Sequence, residues 1–432
     1  MIFDEEKIDG LIAQCRLAEA AAALTLARAP FRDRAALCAI AGDDRGLARF
    51  VDAQLLACTT AAEVAKYYGA TDLEPTAEDH LVAGVVLTWT ADAAGALDSL
   101  RAAHDRAVAH RRFYLGVAAR ERLAHHALLF GDVELARTAI DEAIAMADAY
   151  ALPSWLLRSL AAAASLALDA GDLERAGEFL ERGRSAARSP EELALLAATG
   201  AQLAVELGDD AALPAWTSQQ MIETALRCES AEAAAAATAA ALIVARTPAR
   251  ETPVAIALRR ALLQAAGAAS AVELFATAAQ YGDLEEARFA AEAFAAMVAP
   301  NRPYLHAHQL LARAHLLLRS GERSGWIDNA GDAARAFSAM GMRRWTNEAM
   351  RLLVAQEPAG DRRPRGRQSG AVLTGREEQV AQLIRRGARN REVAVALQIS
   401  EHTVERHVSS ILGRLGLRSR WQITDAPKSE ES

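Results

Sequence analysis

Apolar residues recur at the spacing of an α-helix along most of the chain, and no segment before residue 370 alternates in the manner of a β-strand. Three segments resemble one another: FGDVELARTAIDEAIAMA (130–147), AGDLERAGEFLERGRSAA (170–187) and YGDLEEARFAAEAFAAMV (281–298). In each, Gly-Asp precedes an acidic residue, an alanine and a long amphipathic stretch. The pattern predicts an all-α protein built from repeated helices.

The repeated segments lie at regular distances. Their glycines and one further glycine, Gly131, Gly171, Gly208 and Gly282, are separated by 40, 37 and 74 residues, and the last distance equals two periods of 37. In such a turn, glycine ends one helix in a conformation that other residues avoid, and aspartate caps the next helix. A period in this range indicates a helical-repeat protein.

Two degenerate copies extend the pattern, LGDDAALPAW from Leu207 and AGDDRGLARF from Ala41. The turn and small-residue positions resemble those of tetratricopeptide repeats (TPR), although the Trp and Tyr positions of that family are not visible. The resemblance implies antiparallel helix pairs stacked into an α-solenoid. We assign this TPR-like solenoid to residues 1–356, as a sensor or interaction domain.

The composition agrees with helices and with more than one domain. The chain has 432 residues, of which 52% are hydrophobic and only 5% aromatic. Four cysteines stand in helical patterns without paired spacing, so we interpret them as core residues in a reducing compartment: Cys15, Cys38, Cys58 and Cys228. The same spacing argument excludes a cysteine metal site.

We expect a cytoplasmic protein with no membrane partner. The N-terminal MIFDEEK is acidic where a secretory signal would be basic. The longest charge-free run, AAAAATAAALIVA at 233–245, is too short to span a bilayer. A buried helix explains that run better.

The charged residues are distributed unevenly along the chain. Residues 1–356 contain 34 Arg/Lys and 46 Asp/Glu, a net charge of −12, whereas residues 357–424 contain 13 Arg and 7 Asp/Glu, a net charge of +6. The acidic pI therefore hides a basic module at 371–424, followed by a disordered tail at 425–432. The intervening EPAGDRRPRGRQSG (357–370) is predicted to be a flexible linker. Its arginines either aid solubility or follow a phosphate backbone.

The basic module contains three predicted helices. Thr374 and Glu377 have the spacing of a capping box at the start of the first, which ends at Gly387. A short helix follows within 388–400, where Gln398, Ile399 and Ser400 make a tight turn and Ser400 caps the third helix. This order predicts a helix-turn-helix.

The third helix has two unlike faces. Apolar residues form one stripe at Val404, Val408, Ile411, Leu412 and Leu415. The opposite face and its edges are polar or charged: Thr403, Glu405, Arg406, His407, Ser409, Ser410 and Arg414. A helix of this width with cationic tips fits the major groove of DNA. The alternative is a trihelical module that binds only protein.

The module resembles the LuxR/GerE-type DNA-binding domain over some 50 residues. The matching positions are Leu373, Thr374, Arg376, Glu377, Val380, Gly387, Glu392, Ala394, Leu397, Ser400, Thr403, Val404, His407, Ile411, Leu415 and Arg418-Ser419-Arg420. The resemblance implies a transcription regulator that binds double-stranded DNA through its third helix. It also implies base contacts from Glu405, Arg406 and Ser409.

Phosphate contacts are expected on the edges of that helix. The resemblance places Thr403, His407 and Arg414 at phosphate-contacting positions, and we add Ser410 and Arg389 as candidates. The sequence departs from the pattern of this family in two respects. Glu405 replaces a common lysine and is suited to accept from a cytosine amino group. The fourth helix is short, so we expect a homodimer whose pairing the solenoid helps to provide.

No enzyme motif accompanies these features. The lysines, Lys7, Lys66 and Lys428, do not follow glycine, so the chain has no phosphate-binding GxxxxGK. We predict no catalytic residues, no metal site and no cofactor. The rival hypotheses are a protein-interaction scaffold with the small domain as a tether, and an enzyme whose site is hidden in the solenoid.

The solenoid is expected to bind an effector or a protein partner that the sequence does not identify. Five tryptophans either line a ligand groove or, as we favour, belong to the core: Trp89, Trp155, Trp216, Trp326 and Trp345. The pairs His125–His126 and His306–His308 lack metal-ligand spacing and are interpreted as structural. One version of regulation has the acidic solenoid mask the basic module at low salt.

Overall fold

The computed structural model divides into two compact units, Met1–Gln356 and Glu357–Ser432. It describes residues 11–12, 20, 24, 31–41, 47, 49–50, 53–68, 74–209, 212–216, 223, 231–245, 271–297, 302–322, 325–355, 375–385, 390–397, 399–400, 403–404, 406–408 and 410–411. The predicted linker at 357–370 and tail at 425–432 lie outside these residues. So do the short fourth helix and the GDDRG of the copy at Ala41.

The first unit, here called the repeat unit, is a series of helix pairs joined by short turns, and its described residues contain no strand. The prediction of an all-α solenoid is confirmed. Its described helices are α1 (Phe31–Ala41), α2 (Ala53–Leu56), α3 (Ala61–Tyr67), α4 (Ala77–Trp89), α5 (Ala93–Ala109), α6 (Phe113–Leu129), α7 (Val133–Ala149), α8 (Pro153–Ala170), α9 (Leu173–Ala186), α10 (Pro190–Ala194), α11 (Ala197–Leu207), α12 (Ala231–Ala245), α13 (Ala271–Tyr281), α14 (Leu284–Met297), α15 (Pro303–Arg319), α16 (Trp326–Ala339) and α17 (Arg343–Ala355).

The turns between α4 and α9 recur every 20 residues. At each turn one residue has a positive φ: 61° at Ala91, 59° at Arg111, 82° at Gly131, 54° at Ala151 and 78° at Gly171. The next residue donates its backbone N–H to a carbonyl five positions back, as Asp132 does to Ala127 at 2.8 Å and Asp172 to Ala167 at 2.9 Å. This is the Schellman arrangement, which satisfies the free carbonyls at a helix end.

Aspartate caps the following helix at Asp92 and, as predicted, at Asp132 and Asp172, whereas Arg112 and Leu152 make no side-chain cap at the other two turns. Oδ1 of Asp132 accepts from the Leu135 amide at 3.0 Å, and Oδ1 of Asp172 accepts from the Arg175 amide at 3.2 Å. The degenerate copy at Leu207 has its left-handed glycine too, but it leads into a 3₁₀ turn at Leu213–Trp216.

The prediction for Gly282 is wrong in one respect, because this glycine does not adopt a left-handed conformation. Its turn is held by Asp283 and Glu286, whose side chains accept from each other's backbone amides at 2.8 and 2.9 Å. Glycine is required here for space, since a Cβ would lie 2.4 Å from the Ala278 carbonyl oxygen.

The last helices of the repeat unit pack against its middle. Gly131 faces Pro303, and Gly171 faces Arg343 so closely that an added Cβ would lie 2.9 Å from its side chain. Arg302 donates from Nη2 to the carbonyls of Thr88 and Trp89 at 2.6 and 2.7 Å. The turns of the regular repeats therefore serve as a docking surface for helices much later in the chain, with Arg302 lying 214 residues after Thr88.

Small residues dominate the core. The alanine-rich run at 233–245 belongs to the buried helix α12, which confirms its interpretation. The expectation of core tryptophans is confirmed at Trp155, Trp216, Trp326 and Trp345, each at most 9% exposed, while Trp89 is partly buried. No helix among the described residues is long and apolar enough to cross a bilayer.

The second unit contains α18 (Gly375–Arg385) and α19 (Asn390–Leu397), followed by helical residues at 403–404, 406–408 and 410–411. The predicted caps Thr374 and Gly387 lie outside the described residues. A small apolar core unites these elements, with Val380, Ile384, Val393, Val404 and Ile411 each at most 2% exposed.

Candidate nucleic-acid interface

The third helix of the second unit is held by its apolar stripe. Val404 and Ile411 are fully buried against α18 and α19, and Val408 packs beside them. Leu412 and Leu415, the remaining residues of the predicted stripe, lie outside the described residues. Burial of one face fixes which side chains the helix can present to a partner.

The turn before this helix is also fixed. Ile399 donates its amide to the Ala394 carbonyl at 2.9 Å, and Oγ of Ser400 accepts from the Thr403 amide at 3.1 Å, so Ser400 is the predicted cap. Arg376 reaches from α18 to the Leu397 carbonyl at 2.6 Å. These contacts set the start of the third helix relative to the other two.

A partly buried hydrogen bond joins the third helix to α18. Ser410 donates from Oγ to Oε1 of Glu377 at 2.6 Å, and Glu377 is 4% exposed. From sequence, Glu377 was assigned only to a capping box and Ser410 only to a phosphate. The pairing was missed because the two residues are 33 positions apart. With its hydroxyl proton directed at Glu377, Ser410 has none to donate to a phosphate.

The outward residues of the third helix follow the predicted face where the structure describes them. Arg406 is exposed, and Thr403 and His407 are half-buried. Within the described part of the chain, no hydrogen bond or ion pair involves Arg406. The other predicted contacts, Glu405, Ser409, Arg414 and Arg389, lie outside the described residues.

Comparison with known families agrees with this arrangement. The model for "Bacterial regulatory proteins, luxR family" matches residues 371–426. Residues 371–426 are a LuxR-family helix-turn-helix domain. The resemblance inferred from the sequence is thereby confirmed for this part of the chain.

Two curated mycobacterial proteins are similar over a short region. "Putative HTH-type transcriptional regulator Mb0914c" from Mycobacterium bovis and "Putative HTH-type transcriptional regulator MT0914" from Mycobacterium tuberculosis are each 36% identical over 80 residues. Those residues are 18% of this chain and 9% of each relative. The chain therefore spans less than a tenth of the length of these relatives.

Solved structures show a distant likeness in the helical repeats. The TPR domain of P58(IPK) is 14% identical, with 82% of this chain and 98% of that domain covered at a TM-score of 0.21. A circular tandem repeat protein is 16% identical, with 80% and 96% covered at a TM-score of 0.22. At these scores neither adds to the architecture described above.

Two histidines of the repeat unit, His126 and His308, are buried. His126 contacts Oγ1 of Thr88 through Nδ1 at 2.9 Å, and burial lowers its pKa to about 4. His308 lies among Phe294, Tyr304 and Trp345, and burial lowers its pKa to about 3. Within the described ranges, no group of three or more His, Cys, Asp or Glu residues is placed to hold a metal ion.

Proposed function

We propose that the protein is a transcription regulator that binds double-stranded DNA through the third helix of its LuxR-family domain. The observation that supports this most directly is Arg406, exposed on a helix whose opposite face is buried. A major groove admits a helix in this orientation, and an arginine can bind the O6 and N7 atoms of a guanine.

We assign base contacts to Glu405, Arg406 and Ser409. Phosphate contacts are assigned to Thr403, His407, Arg414 and Arg389. Ser410 is left out of this set, because its bond to Glu377 gives it a positioning role instead. Arginine and histidine on the edges of the helix would then fix its register, while the central face selects the sequence.

The repeat unit has the regulatory role in this proposal. It binds an effector or a protein partner, and it contributes to pairing two copies on an inverted repeat. An acidic unit of net charge −12 joined to a basic one of +6 favours a salt-dependent mask over the DNA-binding face. Catalysis has no part in the proposal.

Selection of genomic fragments with the full-length protein tests the proposal. We expect an enriched inverted repeat whose affinity falls steeply as the salt concentration rises, because phosphate contacts release counterions. Enrichment of no sequence by the full chain, together with no DNA binding by a 357–432 fragment at any salt concentration, would contradict it. A partner protein retained after removal of residues 371–432 would then favour the scaffold.

A further inference from the structure

The repeat unit contains a partly open cavity of about 300 Å³ that the DNA-binding function does not use. Its size is at the lower end of the range for small-molecule sites. Helices from the beginning, middle and end of the unit form its walls, and alanines such as Ala118, Ala198 and Ala235 line much of it. The space exists because these small side chains do not fill the gap between the helices that enclose it.

One face of α8 runs along the cavity with opposite charges at its two ends. The lining residues of this helix are Arg158, Ala161, Ala162, Ser165, Leu166 and Asp169. Arg158 and Asp169 are separated by about 16 Å along the helix axis, at 1.5 Å per residue. A ligand that extends along α8 therefore meets different chemistry at each end.

The Asp169 end has two carboxyl groups and one guanidinium. Asp169, only 4% exposed, accepts from Nη1 of Arg344 at 2.9 Å and from the Tyr304 hydroxyl at 3.4 Å. Glu273 shares the same guanidinium, with its Oε1 3.7 Å from Nη1 of Arg344. Two carboxyl groups therefore depend on a single cation.

Glu273 has unused bonding capacity at this end. Its Oε1 is buried and finds no hydrogen-bond donor among the described residues, while 24% of its side chain remains exposed. Burial raises the pKa of both Asp169 and Glu273, and Arg344 opposes that rise. A further cation beside Glu273 would relieve the cost of burying two carboxylates near one guanidinium.

The two guanidiniums of the Arg158 end contact protein groups. Arg122 donates from Nε to the Ala39 carbonyl at 2.8 Å, and Arg158 donates to the Ala41 carbonyl at 3.2 Å. Arg158 also lies 3.5 Å from Glu121, which accepts from Ser159. These contacts with protein groups hold the end of α1 in place, and the ligand contact proposed below is therefore sought at the Asp169 end, where Oε1 of Glu273 has no hydrogen-bond donor among the described residues.

We propose that this cavity binds a small molecule with an apolar body and a protonated primary amine, and that the amine donates to Glu273 beside Asp169. The apolar body lies along the alanine and leucine walls, including Leu128, Leu166 and Leu274. This identifies the effector class for the regulator, and its consequence for DNA rests on the function proposed above.

The cavity is connected to the helix that precedes the linker in sequence. Arg344 is in the first turn of α17, the last helix of the repeat unit, and its charge is shared between Asp169 and Glu273. An amine bound to Glu273 competes with Arg344 for the charge of that carboxyl group. Ligand binding therefore changes how α17 is anchored.

Calorimetric titration of the full-length protein with three amines tests the site: 2-phenylethylamine, tryptamine and octylamine. The corresponding alcohols are the neutral probes. We expect at least one amine to bind tenfold or more tightly than its alcohol. Glu273→Gln should weaken that amine at least tenfold and leave the alcohol unchanged. Glu292→Gln, an exposed carboxylate on α14, is the matched control and should change neither.

A second variant tests whether a loss of binding comes from the cavity itself and not from a disturbed fold. Ala162 lines the cavity and is exposed, so Ala162→Leu should fill the space and abolish binding of amine and alcohol without disturbing the core. Ala295→Leu, exposed on α14, is its control. The proposal is overturned if no amine binds better than its alcohol, or if Glu273→Gln or Ala162→Leu leaves amine binding intact. DNA affinity measured without amine reports on the regulator function separately.

Discussion

Two buried arginines of the repeat unit contrast with an exposed arginine on the third helix of the second unit. In the repeat unit, Arg302 and Arg344 are less than 9% exposed and donate to carbonyl groups or to a carboxylate. In the second unit, Arg376 does the same with the Leu397 carbonyl, but Arg406 is exposed on the third helix. The net charge of a unit therefore does not identify its function, whereas the contacts of its individual arginines do.

Removing a buried arginine should have the largest effect. Arg344→Met leaves Asp169 and Glu273 without their shared cation, and we expect a loss of about 3–5 kcal/mol in the free energy of unfolding. The loss should be greater at pH 8 than at pH 5, because protonation relieves the buried carboxylates at the lower pH. Urea denaturation of the repeat unit measures it.

An exposed arginine provides the control for this experiment. Arg335, whose side chain is 76% exposed, pairs among the described residues with Asp332, one turn away on α16. Arg335→Met should cost less than about 1 kcal/mol. Equal losses in the two variants would mean that burial does not distinguish the arginines as we argue.

The contrast between buried and exposed side chains also predicts how stability depends on pH, through a buried histidine. Because the pKa of His308 is lowered to about 3 in the fold, the unfolded chain binds this proton first as pH falls below about 6.5. The contribution of neutral His308 is thus complete above pH 6.5 and is lost progressively below it. His308→Phe should remove about 2 kcal/mol of the stability difference between pH 7.5 and pH 5.

The neighbouring His306 is the matched control, since it is exposed on the same helix α15. His306→Gln should retain the stability difference of the parent protein, measured by urea denaturation at both pH values. If His308→Phe also retained the full difference, then His308 would not be the buried neutral group that the geometry indicates.

A smaller effect is expected at the turns. Ala151 has a φ of 54°, a conformation that costs an alanine about 1 kcal/mol or more. Ala151→Gly should stabilise the protein by about 0.5–1 kcal/mol after the entropy of the unfolded glycine is included. Ala145→Gly, on the exposed side of α7, should destabilise it by about 1 kcal/mol. Thermal unfolding measures both changes. A shift of stability in the same direction for both variants would contradict the left-handed conformation assigned to Ala151.

These turns show how much of the repeat unit can be predicted from the sequence. Gly131 and Gly171 mark two turns plainly, but equivalent turns at Ala91, Arg111 and Ala151 contain no glycine and were missed. Asp92, which caps α5 by accepting from the Gly95 amide at 3.0 Å, was the available signal. Helices and turns are specified by residues that are close together in the sequence. Turns of this kind can therefore be predicted from the sequence once the 20-residue spacing is known.

Contacts between distant segments were not predictable in the same way. The bond from Arg302 to the Thr88 carbonyl joins residues 214 positions apart, and no periodic pattern specifies such a pair. The same limit applies to the cavity charges around Arg344. In the second unit, the apolar stripe and Ser400 were predicted because they depend on local spacing, whereas the bond from Ser410 to Glu377 was not.

The central claim is that the third helix reads DNA, and the Arg406→Ala variant tests it most directly. Binding is measured on the selected site and on a scrambled duplex of the same length across a salt series, with Arg335→Ala as the control. We predict a loss of about 1–3 kcal/mol on the selected site, a smaller loss on the scrambled duplex and no change for the control. Retention of both the affinity and the sequence preference by Arg406→Ala would contradict the account.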